Sequence, residues 1–510
     1  MLRKIWKIKS LKYIAAFLIP AIFVMLIQRW LDNDSWFILA EGRYLVTNGI
    51  HYTDVLTMHD NLSIVVQNYG FAAIFYLIYS ALGPAGLYIS MLALNGLICY
   101  LLYKICMLLS NKNVNLSLLI MMMTDLLLAE FNFVTTRPQM VSYVIFLSLI
   151  CLLELYIKTE KTKYLWFIPL LSVLQINFHA SLWWMLILVL IVYIIDSIKK
   201  PKWHLQGYKT KPLVIVSLVT ILAGFLNPYG LKMITYIFTS YGAPEITQMV
   251  NEMKPFNLRT TENVLVYGAL VLVLVLEMFG KKKGLRIRHL LMFFGFLALG
   301  LNTVKGMSQF IMVMFFPLAL QYKNVRIERV IEAREGREAL MFWTGVVSVC
   351  LFVGLCAALV PNIKDGPDDG VIGALDAIEE ANKEKSKVDK EESGANKEKS
   401  ETNEESNEVK VYVGYNNGGY VEFRGFKAYL DPRAEVFLKK NNQKGDILKE
   451  WEEMLSGDIK LDEFLEKYDF DYLIVDKAHE SIAYDLEDES YRRIYENTDE
   501  EIRVFEKVGK

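Results

Sequence analysis

The chain has 510 residues, of which 53% are hydrophobic and 22% charged, and its mean hydropathy is +0.27. Soluble globular proteins carry about 45–50% apolar residues even when glycine is counted, so this composition excludes a wholly soluble enzyme. The net charge of −2 conceals two different parts. Residues 1–360 carry 32 basic and 18 acidic side chains, whereas residues 361–510 carry 23 and 39. We therefore predict a basic membrane domain, 1–360, followed by an acidic domain, 361–510.

The N-terminal segment predicts an uncleaved membrane anchor. Five basic residues precede an apolar run from Tyr13 to Ile27, and no small-residue cleavage site follows that run. Basic flanks of a first span stay in the cytoplasm. The N terminus should therefore lie inside the cell and residue 31 outside.

Further apolar runs predict membrane helices, because one span needs about 20 apolar residues. The runs are 64–82, 87–109, 115–133, 139–157, 164–177, 180–197, 212–226, 263–280, 289–303, 306–320 and 339–360. Basic loops should face the cytoplasm, and they lie at 158–163, 199–211, 281–288 and 321–338. This orientation requires one run between 64 and 133 to be a half-span, a re-entrant piece or an interfacial helix. The best candidate is 115–133, because Asp125 and Glu130 are costly in lipid. We predict eleven full crossings, outside loops at 31–63 and 227–262, and an outside tail.

The acidic tail predicts a small α/β domain with a disordered linker. Residues 381–408 contain the sequence ANKEKS twice and almost no apolar side chain, which is typical of disorder. The other patterns predict helices at 371–380, 445–455 and 461–468, strands at 409–413, 471–475 and 502–506, and a turn at 416–419 followed by an extended segment at 420–423.

Acidic residues directly after the first span are candidates for chemistry. Asp32 and Asp34 form an acid-x-acid pattern, which can bind a cation or supply a general base. A helix cap at Asp34 explains the same pattern. Asp54 likewise predicts either a cap or turn residue or a ligand to a cation or substrate. The residues alone leave these alternatives open, and they leave the metal unknown.

Four further residues of the predicted outside face could contact a substrate. Arg137 can bind phosphate bidentately or extend to lipid headgroups. Lys305 is a second cation or an ordinary loop lysine. His179 is a structural histidine or a ligand for acceptor or phosphate, and Glu252 could pair with Arg137 or help to bind sugar.

Sequence patterns of several other functions do not occur. There is no P-loop, HExxH or GxSxG motif, and the five cysteines form no CxxC or Cys/His cluster. Neither part carries the basic patch expected of a nucleic-acid partner. ATP-driven transport, zinc sites, common hydrolase chemistry and nucleic-acid binding therefore lack support.

Short motifs occur in a recognisable order along the chain. The first loop reads Asp32-x-Asp34-x-Trp36, then Gly42-Arg43, Gly49-Ile-His51 and Asp54. Later motifs are Thr136-Arg-Pro-Gln139, Asn177-x-His179-Ala-Ser181, Asn227-Pro-Tyr-Gly230, Asn251-Glu-Met-Lys-Pro255, Asn417-Gly-Gly-Tyr420 and Asp431-Pro-Arg433. In this order they resemble the motifs of bacterial members of the GT-C superfamily of membrane glycosyltransferases. Three positions depart from that pattern, where proline, tryptophan and a nearby arginine are usual: His51, Met253 and Gln309.

The resemblance implies a fold and an activity. The fold is a multi-span α-helical membrane protein, GT-C-like, with a small C-terminal α/β extracytoplasmic domain. The activity is transfer of a sugar from a polyprenyl-phosphate donor to an envelope glycan, lipid or protein, on the outer face of the plasma membrane. The resemblance assigns Asp34, or else Asp32, as the base. It makes no cofactor certain, and a divalent cation at the two acids stays an option.

Two other classes of function stay open at this point. A transporter or flippase for a lipid-linked glycan would use the same cations for phosphate but would need no base. Such transporters often contain inverted repeats, and the sequence shows none. An inactive scaffold of the same fold would explain the three departures from the motif pattern.

Overall fold

The structure is a computed structural model with two compact units. It describes residues 11–28, 31–198, 208–240, 246, 250–255, 264–280, 286–324, 337–363, 365–367, 369–392, 409–480, 482, 486 and 490–508. The first unit comprises Met1–Trp30 and Ala85–Ile363, and the second comprises Leu31–Pro84 and Lys364–Lys510. Residues 31–84, which include the first predicted outside loop, thus fold with the acidic tail. The assignment of 1–360 and 361–510 to membrane and outside stays a prediction.

The first unit is helical in its described part. Its helices are Leu11–Ile27, the end of Tyr69–Leu109, Val114–Glu130, Gln139–Thr159, Ile168–Phe178, Trp183–Ser197, Thr210–Ala223, Leu231–Ser240, Val264–Gly280, Ile287–Asn302, Met307–Val313, Phe316–Gln321 and Arg337–Leu359. Among the described residues, five segments are long and apolar enough to cross a membrane: Tyr69–Leu109, Gln139–Thr159, Ala180–Ser197, Val304–Gln321 and Thr344–Asn362. Three apolar helices are shorter: Tyr13–Ile27, Thr210–Ala223 and Ile287–Asn302. The chain is therefore a multi-span α-helical protein, as predicted.

Two details differ from the predicted spans. The runs 64–82 and 87–109 form one helix, Tyr69–Leu109, which is broken at Gly83 with φ of 63° before Pro84. Glycine accepts that left-handed conformation, and proline cannot donate a helical hydrogen bond. The run 115–133 forms a helix that ends at Glu130 and not at residue 133, and its assignment as an element that is not a full crossing stays a prediction.

The second unit contains a five-stranded mixed sheet. Its strands are β1 (Lys410–Tyr412), β2 (Lys427–Ala428), β3 (Tyr472–Val475), β4 (Tyr491–Asn497) and β5 (Ile502–Lys507). The strand order is β2-β1-β3-β5-β4, in which β2, β1 and β3 are parallel and β5 is antiparallel to both neighbours. The helices of this unit are Asp34–Asn48, the start of Tyr69–Leu109, Asp369–Glu392, Gly418–Phe423, Lys439–Asn442, Ile447–Ser456 and Leu461–Tyr468.

The tail departs from its prediction in four places. The segment predicted to be extended at 420–423 is a helix, Gly418–Phe423, and strands β2 and β4 were not predicted. The helix Asp369–Glu392 includes residues assigned to the disordered linker. It continues because Asn382 accepts a hydrogen bond from the Tyr472 hydroxyl at 3.0 Å, and Lys385 pairs with Glu506 at 3.0 Å.

Some predicted segments lie outside the described residues. They are the rest of the linker, 393–408, most of the basic loops 199–211, 281–288 and 321–338, and parts of the outside loop 227–262.

The first loop, 31–63, packs on the sheet domain within the second unit. The backbone N–H of Met58 donates to the carbonyl of Ala428 in β2 at 3.0 Å. The Lys427 ammonium donates to the carbonyl of Val55 at 2.7 Å. Trp36 is buried and lies edge-on to Tyr420 with ring centroids 5.0 Å apart. The Trp36 side chain is thus buried by protein, because the tail supplies a partner surface.

Glycine at position 419 permits this close packing. A Cβ atom there would lie 2.8 Å from the backbone nitrogen and the Cβ of Phe37. We expect Gly419→Ala to lower the free energy of unfolding by about 1–3 kcal/mol, because the two helices must separate. Thermal unfolding of the purified protein measures the change. Gly445→Ala is the matched control, since a Cβ at Gly445 has no atom within 4 Å, and equal melting temperatures for the two variants would contradict the prediction.

Candidate active site

The two acids of the first loop occupy the start of a helix. The helix begins at Asp34, and its N-cap residue, Asn33, makes no side-chain capping bond. The Asp32 carboxylate accepts a hydrogen bond from the backbone N–H of Asp34 at 3.0 Å. Asp34 is therefore the first helical residue and not the cap, because the helix begins one residue earlier than a cap at Asp34 requires, and the side chain that accepts a backbone N–H at the helix start is that of Asp32.

The surroundings of Asp34 within the second unit are acidic and polar. Burial raises the pKa of the Tyr415 hydroxyl well above its usual value, and the charges of Glu435 and Asp34 add to that shift. The Tyr415 hydroxyl donates to the Pro432 carbonyl at 2.8 Å. Asp34 thus lies within electrostatic reach of the tail segment that carries the Asp431-Pro-Arg433 motif.

Asp54, predicted as a ligand or a turn residue, belongs to a buried ionic cluster around Arg433. One Asp54 oxygen accepts from the backbone N–H and the hydroxyl of Thr57, at 2.9 and 2.6 Å. The other lies 2.9 Å from the Arg433 guanidinium. Asp54 is 7% exposed, so its oxygens are occupied inside the protein. The geometry fits the turn interpretation.

The Arg433 guanidinium also contacts three other carboxylates. It lies 2.5 Å from Asp431, 3.2 Å from Glu41 and 3.8 Å from Glu422. His51, which replaces the usual proline of the motif, lies 2.9 Å from Glu41. The cluster therefore joins the first-loop motifs to the tail motif in one buried network.

The pKa values of two acids in this cluster, Asp54 and Glu422, are shifted in opposite directions. Burial opposes ionisation of Asp54, but Arg433 and the hydrogen bonds of Thr57 outweigh it, so its pKa is lowered. For Glu422, burial and the negative charge of Asp431 outweigh Arg433, so its pKa is raised well above the usual value. Arg433 thus favours the ionised form of Asp54, whereas burial and Asp431 favour the neutral form of Glu422.

The first unit brings together Arg137 and Glu252, two of the residues predicted to contact a substrate. Arg137 Nη1 lies 2.6 Å from Glu252 Oε1, which confirms the pairing considered from sequence. Their side chains are 19% and 42% exposed. Burial opposes ionisation of Glu252, but the charges of Arg137 and Lys305 outweigh it and lower the pKa of the carboxyl. Lys305 is thus close enough to Glu252 to act on its charge.

His179 and Lys305 complete this group in the first unit. His179 is 4% exposed, and its Nδ1 lies 2.9 Å from the Ser142 hydroxyl. The Gln175 amide donates to that hydroxyl at 2.9 Å and to the His179 carbonyl at 2.6 Å. The charge of Lys305 acts on His179 as well as on Glu252. His179 is therefore a hydrogen-bonded histidine near the cationic group.

A second ionic cluster, in the first unit, was missed from the sequence. Arg288 was assigned to a basic cytoplasmic loop, yet it is 4% exposed and lies 2.7 Å from Glu154 and 2.9 Å from Asp196. The Tyr193 hydroxyl donates to Glu154 at 2.8 Å. The cluster connects the helices Gln139–Thr159, Trp183–Ser197 and Ile287–Asn302. The sequence signal that could have indicated this cluster is the presence of single charged residues near the ends of apolar runs.

The residues described by the structure include no group of three or more His, Cys, Asp and Glu side chains arranged to hold a metal. Asp32 already accepts a backbone hydrogen bond. The predicted option of a divalent cation therefore gains no support from geometry, and no chemical step is assigned to a metal.

The sequence matches no family model, and no curated protein is similar enough in sequence to be counted as a relative. The fold, however, is similar to that of solved structures of the oligosaccharyltransferase of Archaeoglobus fulgidus. The structure tethered to an acceptor peptide with the NVT sequon has a TM-score of 0.56 at 12% identity, over 92% of this chain and 70% of that chain. The apo form has a TM-score of 0.53 at 13% identity, over 92% and 70%.

A third structure of that archaeal protein was solved with an inhibitory peptide and a dolichol-phosphate. It has a TM-score of 0.55 at 12% identity, over 91% of this chain and 69% of that chain. The structural similarity establishes the fold. At sequence identities this low it does not establish the activity, which must be argued from the site. The chain therefore has a membrane GT-C-like fold with a small C-terminal sheet domain.

Proposed function

We propose that the protein is a membrane glycosyltransferase that moves a sugar from a polyprenyl-phosphate carrier to an acceptor on the outer face of the plasma membrane. The ion pair of Arg137 with Glu252, on whose carboxylate the charge of Lys305 also acts, carries the proposal, because it brings together two cations of the kind that bind a lipid phosphate. The GT-C-like fold supports it as well. The archaeal protein of similar fold has been solved tethered to an acceptor peptide and, in another structure, with an inhibitory peptide and a dolichol-phosphate.

The proposed reaction is an inverting displacement. The carboxylate of Asp34 takes the proton of an acceptor hydroxyl, and the acceptor oxygen attacks the anomeric carbon of the sugar. The bond from that carbon to the phosphate oxygen breaks, and polyprenyl phosphate leaves with the electron pair. A base positioned in this way contributes about 10²–10⁴-fold to the rate.

Asp34 is proposed as the base because Asp32, the other candidate, already has a structural role. Asp32 accepts the N–H of Asp34 and so has a structural task at the start of the helix. The Asp34 carboxylate lies among polar groups that include the Tyr415 hydroxyl. Asp32 stays the second candidate, with the same chemistry.

Arg137 and Lys305 are the proposed partners of the leaving phosphate. Guanidinium binds phosphate oxygens in a fixed, two-pronged geometry, and ammonium adds a point charge. The lipid tail of the donor would lie in the bilayer beside the apolar helices of the first unit. His179 is proposed to contact the acceptor or the phosphate, near Lys305.

The acceptor is proposed as an envelope glycan, lipid or protein that offers a hydroxyl or a similar nucleophile. A transporter of a lipid-linked glycan would bind the same phosphate but would release no polyprenyl phosphate. Chemical turnover of a polyprenyl-phosphate sugar by the purified protein therefore tests the proposal against transport and against an inactive scaffold.

Removing the guanidinium should weaken donor binding. We expect Arg137→Ala to lower the affinity for a prenyl-phosphate sugar about 10- to 100-fold, because hydrogen bonds to charged groups contribute about 1.5–3 kcal/mol. Equilibrium binding to the detergent-solubilised protein measures this change. Arg286→Ala removes the same charge at the predicted cytoplasmic side, and it should bind normally. Equal affinities for the two variants would contradict the role of Arg137.

The orientation of the tail gives a second test. The exposed Ser456 ends the helix Ile447–Ser456 in the second unit. We expect Ser456→Cys to react with an impermeant maleimide in intact cells, because the basic loops place the tail outside. Thr162→Cys, in a predicted cytoplasmic loop, should react only after lysis. The reverse pattern, after subtraction of labelling of the parent protein, would invert the orientation.

A further inference from the structure

We infer that Glu252 is the resident counter-ion of Arg137 and that the donor phosphate replaces it when the donor binds. The inference rests on the proposed function, because it assigns the anion that Arg137 receives. It changes the role of Glu252 from a substrate ligand to a competitor of the substrate. The occupied and unoccupied states of the site then differ in which anion holds the guanidinium.

The geometry of the pair suits such an exchange. Glu252 Oε1 lies 2.6 Å from Arg137 Nη1, so the carboxylate occupies a nitrogen that a phosphate oxygen would use. The Glu252 side chain is 42% exposed, whereas that of Arg137 is 19% exposed. A displaced carboxylate can therefore regain water at little cost while the guanidinium keeps its place.

The backbone around Glu252 is held by a hydrogen bond to the segment that carries Lys305. Glu252 lies in the short 3-10 turn Asn251–Met253, and Met253 is buried. The next carbonyl, that of Lys254, accepts the backbone N–H of Val304 at 3.1 Å. This bond ties the turn to the residue before Lys305, so exchange requires only a rotation of the Glu252 side chain.

The charges favour exchange over simultaneous binding. Arg137 and Lys305 both act on the Glu252 carboxylate. A phosphodiester brings a second anion to the same two cations, where it would face the charge of Glu252. If the carboxylate leaves, one anion replaces another and the cations stay partnered in both states, which avoids a poorly solvated unpaired charge. A neutral prenyl alcohol cannot make this exchange.

The test is equilibrium binding of farnesyl phosphate to the purified full-length protein in detergent. Glu252→Gln removes the competing charge, so we expect it to bind farnesyl phosphate about two- to five-fold more tightly, since a partly exposed ion pair contributes little. Glu130→Gln is the matched control. It removes the same charge from the exposed end of the helix Val114–Glu130 and should leave binding unchanged. Farnesol should bind all these proteins equally.

Each other outcome counts against the inference. Weaker binding by Glu252→Gln would show that the carboxylate positions Arg137 for phosphate, and unchanged binding would show that it does not compete. If Glu252→Gln fails to fold, Glu252→Asp serves instead, because its shorter side chain weakens the pair and should also tighten binding. Loss of the proposed phosphate site has a separate signature, namely unchanged farnesyl phosphate affinity in Arg137→Ala.

Discussion

Asp34→Asn should lower turnover by about 10²–10⁴-fold or more, while donor binding stays nearly unchanged. The substitution keeps the size of the side chain and removes its ability to take a proton. Donor affinity is assigned to Arg137, which this change does not touch. Turnover is measured as release of polyprenyl phosphate from a prenyl-phosphate sugar, and binding is measured separately on the same preparation.

Asp32→Asn decides between the two acids. An asparagine oxygen can still accept the backbone N–H of residue 34, which Asp32 accepts at 3.0 Å, so this variant should keep the helix start and most of the activity. If Asp32→Asn abolishes turnover and Asp34→Asn does not, the base is Asp32 and the mechanism stands. If both folded variants turn over normally, the acids are structural, and transport of a lipid-linked glycan becomes the better proposal.

Arg433→Met should destabilise the second unit by about 3–5 kcal/mol, because it leaves buried carboxylates without their cation. Methionine preserves most of the volume, so the loss reports charge rather than a cavity. Asp54 and Asp431 lie 2.9 and 2.5 Å from the guanidinium and are both buried. Thermal and chemical unfolding of the purified protein measure the change. Arg493→Met is the control, since Arg493 is 46% exposed and pairs only at the surface with Glu496.

Acid should reduce the difference between Arg433→Met and the parent protein. In the parent, the pKa of Asp54 is lowered, so its contribution to stability is present above its unfolded pKa and is lost only as the pH falls through the lower folded value. Without Arg433, burial should raise the pKa values of the same carboxyls. The variant should then gain stability as the pH falls from 7 toward 5, and a constant difference over that range would contradict this account.

The helical part of the fold could be predicted because membrane spans have a strong signal. The apolar run 139–157 corresponds to the helix Gln139–Thr159, and its length and composition alone suffice to find it. In the tail, the pattern of 461–468 gave the bounds of its helix, Leu461–Tyr468. Local periodicity determines such elements, so one sequence is enough.

Elements that depend on distant partners could not be predicted. The helix Gly418–Phe423 forms where two glycines approach the backbones of Leu430 and Phe37, and nothing local indicates those contacts. Strand β2 has two residues and forms by pairing with β1. The helix Asp369–Glu392 extends past its apolar part because polar side chains reach the sheet.

The sequence predicted the individual residues of the candidate site but only some of the contacts between them. Orientation of the loops suggested the pair of Arg137 and Glu252, which lie 115 positions apart in the chain. The buried partners of Arg433 could not be foreseen, because residues of the first loop and the tail meet only in the folded second unit. Sequence motifs thus identified residues whose contacts required the structure.

The most direct test of the central claim is acceptor-dependent release of polyprenyl phosphate. Purified protein in detergent or nanodiscs is given a polyprenyl-phosphate sugar and an extract of envelope acceptors, and the released lipid phosphate and the glycosylated product are quantified together. A glycosyltransferase should release one polyprenyl phosphate for each sugar transferred, and Asp34→Asn should reduce both by the same factor. Binding of the donor without release, in folded protein supplied with acceptor, would contradict the proposed activity.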